Sequence, residues 1–489
     1  MISICLLIKA DLSNFEPTSN KLIKVMRLNK IKAPNTFLII FSLIIVTAIL
    51  TWLIPSGEFD TTEKNGKEIV VSGSYHQVDK NPQGVFDILT SPIDGFVDAA
   101  LIIGFTLIVG GAFGVFTRTE AVDSGIKAIA KAYSSSYMIR KLLIPIFMIL
   151  FSLGGSVFGM GEEVIPFILI FVPMALMLGY DTITGVAIPF VGAGAGFAGA
   201  FINPFTLGIA QSIADLPPLS GIEYRIFVWF IITAVAIYFV MRHADKVKAN
   251  PQLSPTYELD KKKKESLHVS QLEKFEGIDS KHKLVLFLFL VGLMVLVFGV
   301  TVYGWYIEEI SAVFFATGIV VGIAGKLSVK EITDSFIQGA KDLMATALII
   351  AFARAILIIA TDGKIIGTIL YALSDPVESL HPIISSQAMF VIQSLLNFFI
   401  PSGSGQAALT MPIMAPLSDL VGVSRQTSVL AFQFGDGFSN LIIPTSAITM
   451  GVLTLAGIEW NVWAKWMIKL QILFILVGLL LLIPPYFFW

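Results

Sequence analysis

Seven stretches of this chain are apolar for long enough to cross a bilayer as a helix, and that feature leaves it few folds. A membrane helix needs about 20 mostly apolar residues. Such runs fall at 36–55, 95–116, 225–241, 284–303, 306–325, 343–361 and 465–486. Two further stretches, 183–214 and 427–456, are long but broken by Gly and Pro. Two more, 142–178 and 383–418, are apolar with a small-residue cluster near the middle. In hydrocarbon every backbone polar group needs an internal partner, which allows helices or closed barrels, and runs of this length select helices. Composition agrees, with 55% hydrophobic and 14% charged residues, against about 25% charged in an ordinary soluble domain. The lipid bilayer is thus the expected environment, and a net charge of −2 gives no reason to expect a nucleic-acid partner. Cys5 is the single cysteine, which excludes a disulfide framework or a cysteine-rich metal site. His76, His243, His268, His282 and His381 fall between the apolar runs, so no metal centre is expected.

Residues 1–35 read as a cytoplasmic tail. Met26 opens the segment Met26-Arg27-Leu28-Asn29-Lys30, a basic lead into the first run. The apolar patch from Ile2 to Ile8 has neither a basic lead nor a small-residue cleavage site behind it, so it is not a signal peptide. Residues 1–25 are either a disordered tail or untranslated, and we expect translation to start at Met26.

Lys and Arg set the orientation, because positive loops stay in the cytoplasm. The linker 242–283 holds Arg242, Lys246, Lys248, Lys261 to Lys264, Lys274, Lys281 and Lys283, and the loop 117–141 holds Arg118, Lys127, Lys131, Arg140 and Lys141. Both are placed inside, and the acid-leaning loop 56–94 outside. These placements agree only if 142–178 enters and returns on one side as a re-entrant hairpin, with its tip buried in protein or facing water. The N-terminus then lies in the cytoplasm and the C-terminus outside.

The chain repeats itself weakly. Ala100-Leu101-Ile102-Ile103-Gly104-Phe105 returns as Ala347-Leu348-Ile349-Ile350-Ala351-Phe352. A small-residue cluster follows each, Ser152-Leu153-Gly154-Gly155-Ser156 and Pro401-Ser402-Gly403-Ser404-Gly405. After each comes an interrupted helix, Gly192 to Thr206 and Phe434 to Ser446. Crossing counts make the copy at 36–241 start inside and the copy at 306–489 start outside, with 284–303 as connector. Inverted repeats with paired Gly/Pro breaks are the mark of an alternating-access carrier, whose breaks aim half-helix ends at the membrane middle. A Gly cluster alone serves helix packing more often than binding, but four in matched places favour a site.

Ionisable residues inside apolar spans are costly and default to function. Glu162 and Glu163 follow the first cluster and suit a cationic ligand; the alternative is compensation of the dipole of the helix behind them. Asp436 sits between Gly435 and Gly437, with Ser439 and Asn440 close behind, and is expected on unwound backbone among oxygen ligands. It suits a proton or small cation, or else caps the next half-helix. Arg354 is a candidate for a substrate carboxylate or for pairing with Asp362 or Asp98, with pairing preferred. Asp98 itself reads as structural. These features give an all-α polytopic membrane protein that carries a small charged metabolite.

The segments Gly-Gln-Ala-Ala-Leu-Thr-Met-Pro-Ile-Met-Ala-Pro-Leu at 405–417 and Phe-Gln-Phe-Gly-Asp-Gly-Phe-Ser-Asn at 432–440 resemble the YfcC family. That family is related to the DcuC anaerobic dicarboxylate carriers and, more widely, to the AbgT carriers. The resemblance spans about 36–489. It implies about nine transmembrane helices plus two re-entrant hairpins, scaffold and transport domains, a homodimer, elevator-type movement and a bacterial inner-membrane location. Binding residues carried over by resemblance fall on Gly155, Ser156, Asn203, Pro204, Thr206, Ser402, Ser404, Asn440, Pro444 and Thr445. The first tip, Gly-Gly-Ser followed by two Glu, departs from the Ser-Asn-Thr signature of sodium-dicarboxylate carriers. Members are labelled both dicarboxylate carriers and basic amino-acid antiporters, and Glu162, Glu163 and Asp436 tilt this chain to basic amino acids such as arginine or ornithine. No organic cofactor is expected; the coupling ion is H+ or Na+.

Two rivals are weaker. A channel needs a continuous pore lined by rings of like groups. An intramembrane aspartyl protease would need Asp181 and Asp436 together, yet Gln433 stands where a second Gly is wanted. No zinc-protease helix, nucleophile elbow or phosphate loop occurs, so no enzyme is expected and the driving force should be a gradient.

Overall fold

A computed structural model of the chain describes residues 36–489 except 65–66, 72, 267–276, 375 and 378–379. The expectations for the tail, for Met26 and Cys5, and for His268 and Lys274 lie outside the described residues. The first half runs through α1 (Thr36–Leu53), α2 (Val85–Asp98), α3 (Ala100–Arg118), α4 (Ala121–Ser135), α5 (Tyr137–Phe158), α6 (Ile168–Met177), α7 (Thr182–Ala198), α8 (Ile209–Ile213) and α9 (Ile222–Ala249). After α10 (Tyr257–Ser266) and α11 (Ser280–Tyr303) the second half comprises α12 (Ile307–Ala324), α13 (Val329–Asp342), α14 (Met344–Asp362), α15 (Ile366–Ser374), α16 (Pro382–Leu396), α17 (Gly403–Leu420), α18 (Arg425–Ser439), α19 (Ala447–Ala456) and α20 (Trp460–Leu481). The fold is helical, as expected. The β structure among the described residues lies between α1 and α2, where β1 (Gly57–Glu58) pairs antiparallel with β4 (His76–Gln77), and β2 (Thr61–Lys64) with β3 (Lys67–Val70).

Among the described residues seven helices are long and apolar enough to cross a membrane: α3, α5, α9, α11, α12, α14, and α20 with the turn after it. Six of the expected runs are among them. α1, at 18 residues, is a shorter apolar helix. α5 joins the long set because the first arm of the expected hairpin begins at Tyr137, before residue 142, and runs 22 residues. Three amphipathic helices, α2, α4 and α13, occupy stretches whose mixed polar and apolar residues gave no membrane-span signal.

The two halves pack reciprocally. α2 lies on α14 while α13 lies on α3, and α1 lies on α14 while α12 lies on α3. α5 and α6 flank α7, as α16 and α17 flank α18; α9 backs α7, as α20 backs α18. α8 touches α17 and α19 touches α6, so each half's interrupted helix reaches the other half's hairpin. Between membrane helices burial from water supplies no drive, so close van der Waals fit and interhelical hydrogen bonds must hold them. Aromatic rings supply the fit in both halves. Phe151 sits edge-on to Phe167 and Phe171 across the first hairpin, 5.2 Å from each. Phe438 stacks on Phe474 at 4.8 Å between α18 and α20. Hydrogen bonds pin the second hairpin: Gln393 Nε2 donates to Thr410 Oγ1 at 3.0 Å and Gln406 Nε2 to Gln393 Oε1 at 2.7 Å.

Candidate functional site

Both interrupted helices stop for local reasons. α7 starts at Asp181, whose carboxylate caps Thr184 N at 2.9 Å, and ends at Ala198. Proline disfavours helix in the residue before it and has no N–H. Asn203 accordingly leaves the helix, and its Oδ1 accepts from Phe205 N at 3.0 Å and Thr206 N at 3.3 Å, opening a π turn over Pro204–Gly208. In the second half α18 ends at Ser439 and Ser446 caps α19, leaving 440–446 with Pro444 as the break.

The hairpin tips meet these breaks. The first tip is Gly159 to Gly161, where Gly159 is left-handed at φ 71°, a conformation open to glycine and strained for most residues. A Cβ there would lie 2.6 Å from Asn203 Oδ1. At the second tip Ser402 caps α17 through Gly405 N, and a Cβ on Gly403 would lie 2.9 Å from Asp436 Oδ2 and against Thr206. Each tip glycine is therefore held against a polar side chain of an interrupted segment.

Between the tips lies a cavity of about 310 Å³. Glu162, Glu163, Thr206, Ser402, Ser404, Asn440 and Thr445 line it, so seven of the expected site residues converge. Its opposite wall is Asp98, Arg354 and Tyr306. Arg354 Nε is bonded to Asp98 Oδ2, which resolves the choice of partner between Asp98 and Asp362. Tyr306, just before α12, stacks obliquely on Phe205 at 5.0 Å.

Other expected residues stand behind this wall. Gly155 and Ser156 are not at the tip but inside α5, which stays helical to Phe158. A Cβ on Gly155 would collide with the carbonyl of Ala193, so that glycine serves the contact of α5 with α7. Ser156 Oγ turns back to Leu153 O, while its carbonyl accepts from Asn203 N at 3.0 Å and fixes the break. Asn203, Pro204 and Pro444 shape the breaks without lining the cavity. Asp436 is fully buried in the last turn of a continuous α18, not on unwound backbone. Its flanking glycines allow close packing instead: a Cβ on Gly435 would strike Gln393, and one on Gly437 would strike Ala198. Asp436 Oδ1 accepts from Asn440 Nδ2 at 2.8 Å, and Oδ2 has no hydrogen-bond partner. Ser439 bonds to the carbonyl of Gly435 and accepts from Asn397 Nδ2 at 2.7 Å.

Sequence reasoning missed Asn397 and gave Gln433 no binding role. Gln433 Nε2 donates to Phe197 O at 2.7 Å and Thr206 Oγ1 at 3.1 Å, tying the two interrupted helices together. Asn397 Oδ1 and Gln433 Oε1 are buried without partners, as is Asp436 Oδ2. The available signal was one polar amide within an apolar run, which also fits simple interhelical bonding. Asp181 and Asp436 do not form an acid pair. Asp181 bonds to His243 Nε2, Ser254 and Thr184, each a different network from that of Asp436.

Long apolar helices, two hairpins meeting two interrupted helices, and a polar cavity between them define a multi-pass membrane transporter of the inner membrane. The chain belongs to the DcuC family, C4-dicarboxylate anaerobic carrier, whose model matches residues 33–486. It is 38% identical over 475 residues to YfcC of Escherichia coli (strain K12), provisionally named a basic amino acid antiporter, covering 88% of this chain and 92% of that protein. It is 29% identical over 494 residues to an uncharacterized protein of Haemophilus influenzae (strain ATCC 51907 / DSM 11121 / KW20 / Rd), covering 92% and 96%. Among solved structures it is similar to the Alcanivorax borkumensis YdaH transporter, with 15% identity, TM-score 0.42 and coverage of 92% and 98%. It is also similar to Neisseria gonorrhoeae MtrF, described within a class of antimetabolite efflux pumps, with 15% identity, TM-score 0.40 and coverage of 92% and 95%.

Proposed function

We propose that this protein is a secondary active carrier, an ion-coupled symporter or exchanger, for cationic amino acids of the arginine or ornithine type. The carrying observation is the charge of the cavity wall. Glu162, Glu163 and Asp98 face it against the single base Arg354, and that guanidinium is already bonded to Asp98. No basic side chain among the described residues is within ion-pair distance of Glu162 or Glu163. A carboxylate pair facing a cavity with no base to pair with it calls for a cation. The second tip supplies the complement. The first turn of α17, with Ser402 and Ser404, opens on the same cavity and presents the positive end of a helix. An α-carboxylate at α17 and a side-chain cation at Glu162 and Glu163 would satisfy both walls. That helix end, with the family's dicarboxylate label, also supports a second reading, a four-carbon dicarboxylate carrier.

Asp436 is the proposed site of the coupling ion, H+ or Na+. With Arg354 occupied by Asp98, the partner of Asp436 is mobile: a proton, a sodium ion or the substrate. The reciprocal packing supports the inverted-repeat boundaries at 36–241 and 306–489, with hairpins 142–178 and 383–418 and the linker 242–283 in the cytoplasm. The working unit is proposed to be a homodimer with scaffold and transport parts, its N-terminus inside and C-terminus outside. A thermal-shift panel on purified protein tests the ligand class, since binding to the folded state raises Tm by mass action. Arginine or ornithine should raise Tm and succinate should not; the reverse would establish the dicarboxylate reading.

A further inference from the structure

α9 carries Arg225 in its first turn, 1% exposed. Its Nη2 makes two long bonds, 3.5 Å each, to the carbonyl and Oε1 of Gln426. Its Nε and Nη1 are buried with no acceptor, and no carboxylate among the described residues pairs with it. Guanidinium keeps its charge and cannot be neutralised as a buried carboxylate can. A lone buried charge is strongly destabilising unless something of opposite sign meets it.

The surroundings add positive character. Gln426 is the second residue of α18, a helix of 15 residues, and Arg225 reaches its N-terminal end. A helix N-terminus carries partial positive charge and orphan N–H groups. Here the Ser424 hydroxyl accepts from Thr427 N at 3.1 Å. Of the carboxylates near this end, Asp419 Oδ2 and Asp215 Oδ2 are bonded to Arg425 at 2.8 Å and 3.2 Å, and Glu223 in the first turn of α9 is exposed and makes no ion pair with Arg225. The amides that bond to Ser220 are likewise occupied. Gln211 Nε2 donates to Ser220 O at 2.9 Å, and Gln426 Nε2 donates to Ser220 Oγ. Two positive features thus meet with no carboxylate bonded to the guanidinium.

We propose that Arg225 and the start of α18 form a binding site for a small monovalent inorganic anion of chloride's size. The surroundings are closely packed, since a Cβ on Gly221, one turn before Arg225, would lie 2.7 Å from Trp489 Cζ2 and 3.3 Å from Gln426 Oε1, which favours a small ion. Neither Arg225 nor Gln426 lines the substrate cavity. The site is independent of the transport reading, and its anion fastens the beginning of α9 to the beginning of α18.

The test is thermal unfolding of the purified full-length chain in a titration of chloride against gluconate at constant ionic strength. Tm should rise with the logarithm of chloride concentration, as linkage requires. Arg225→Met should be flat. Arg225→Lys keeps the charge but loses the fork, so its response should shift to higher chloride; this variant decides the matter if Arg225→Met fails to fold. In a bromide-soaked crystal an anomalous peak should lie within hydrogen-bonding distance of the guanidinium. A wild-type Tm indifferent to chloride, or an Arg225→Lys response identical to wild type, would overturn the site.

Discussion

Asp436 has one carboxylate oxygen held by Asn440 and the other facing Gly403 without a hydrogen bond. The Asp436→Asn variant keeps an oxygen for Asn440 and removes only the charge. Since Arg354 is bonded to Asp98, that variant strands no guanidinium, and detergent Tm should stay near wild type while ion-coupled uptake is lost. A large drop in Tm together with lost expression would instead make Asp436 structural. Glu163 differs in facing the cavity. A hydrogen bond to a charged group is worth about 1.5–3 kcal/mol, so Glu163→Gln should weaken binding of a cationic amino acid roughly tenfold to a hundredfold, read as the midpoint of ligand-induced thermal shift. Gly403→Ala places a methyl against Asp436 and Thr206. Overpacking of this kind costs about 1–3 kcal/mol, and Tm should fall accordingly. At this scale the sequence was half legible. Glu162, Glu163 and Asp436 stood out because charge inside an apolar run has few innocent explanations. Gly155 and Ser156 misled, because a small-residue cluster looks the same whether it turns a chain or lets two helices touch.

Among the elements, the N-terminal end of α7 makes the sharpest case. Asp181 caps α7, and Asp260 from α10 reaches Thr182 N at 2.9 Å. Ser254 Oγ bridges the two carboxylates, 2.9 Å from each. Burial pushes the Asp181 carboxyl up, but His243 and the Thr184 donors outweigh it and hold it below the ordinary aspartate range. A carboxyl depressed by folding adds stability above its unfolded value and loses it as pH falls through its folded value. The strap over 250–266 should therefore hold at neutral pH and loosen only below about pH 4. Hydrogen exchange at Thr182 and Thr184 should quicken there, and Asp181→Asn should flatten that dependence. The basic composition of 242–283 suggested a side of the membrane but not this docking, in which Ser254 and Asp260 meet Asp181 and Thr182, 73 and 78 positions earlier. The amphipathic helices α2, α4 and α13 were missed for a related reason: each has an apolar face too narrow to register as a span.

For the whole molecule, the reciprocal packing of the halves was foreshadowed by the repeat of 100–105 at 347–352 and by the matched Gly/Pro breaks. What no repeat could show is that each tip also meets the other half's interrupted segment, Gly161 beside Ile448 and Gly403 beside Thr206, because that depends on three-dimensional fit. In the proposed inverted arrangement, single cysteines at Ser404 and Phe158, both on the cavity wall, should label from outside and inside respectively in a Cys5→Ser background. Labelling of both from one side throughout the cycle would break the inverted scheme. The central claim, exchange of a cationic amino acid through this cavity, is tested most directly by counterflow in proteoliposomes. Vesicles loaded with unlabelled arginine should take up labelled arginine transiently and saturably, with the overshoot abolished in the Glu162→Gln, Glu163→Gln double variant. Absence of an arginine overshoot while labelled succinate exchanges saturably would contradict the account.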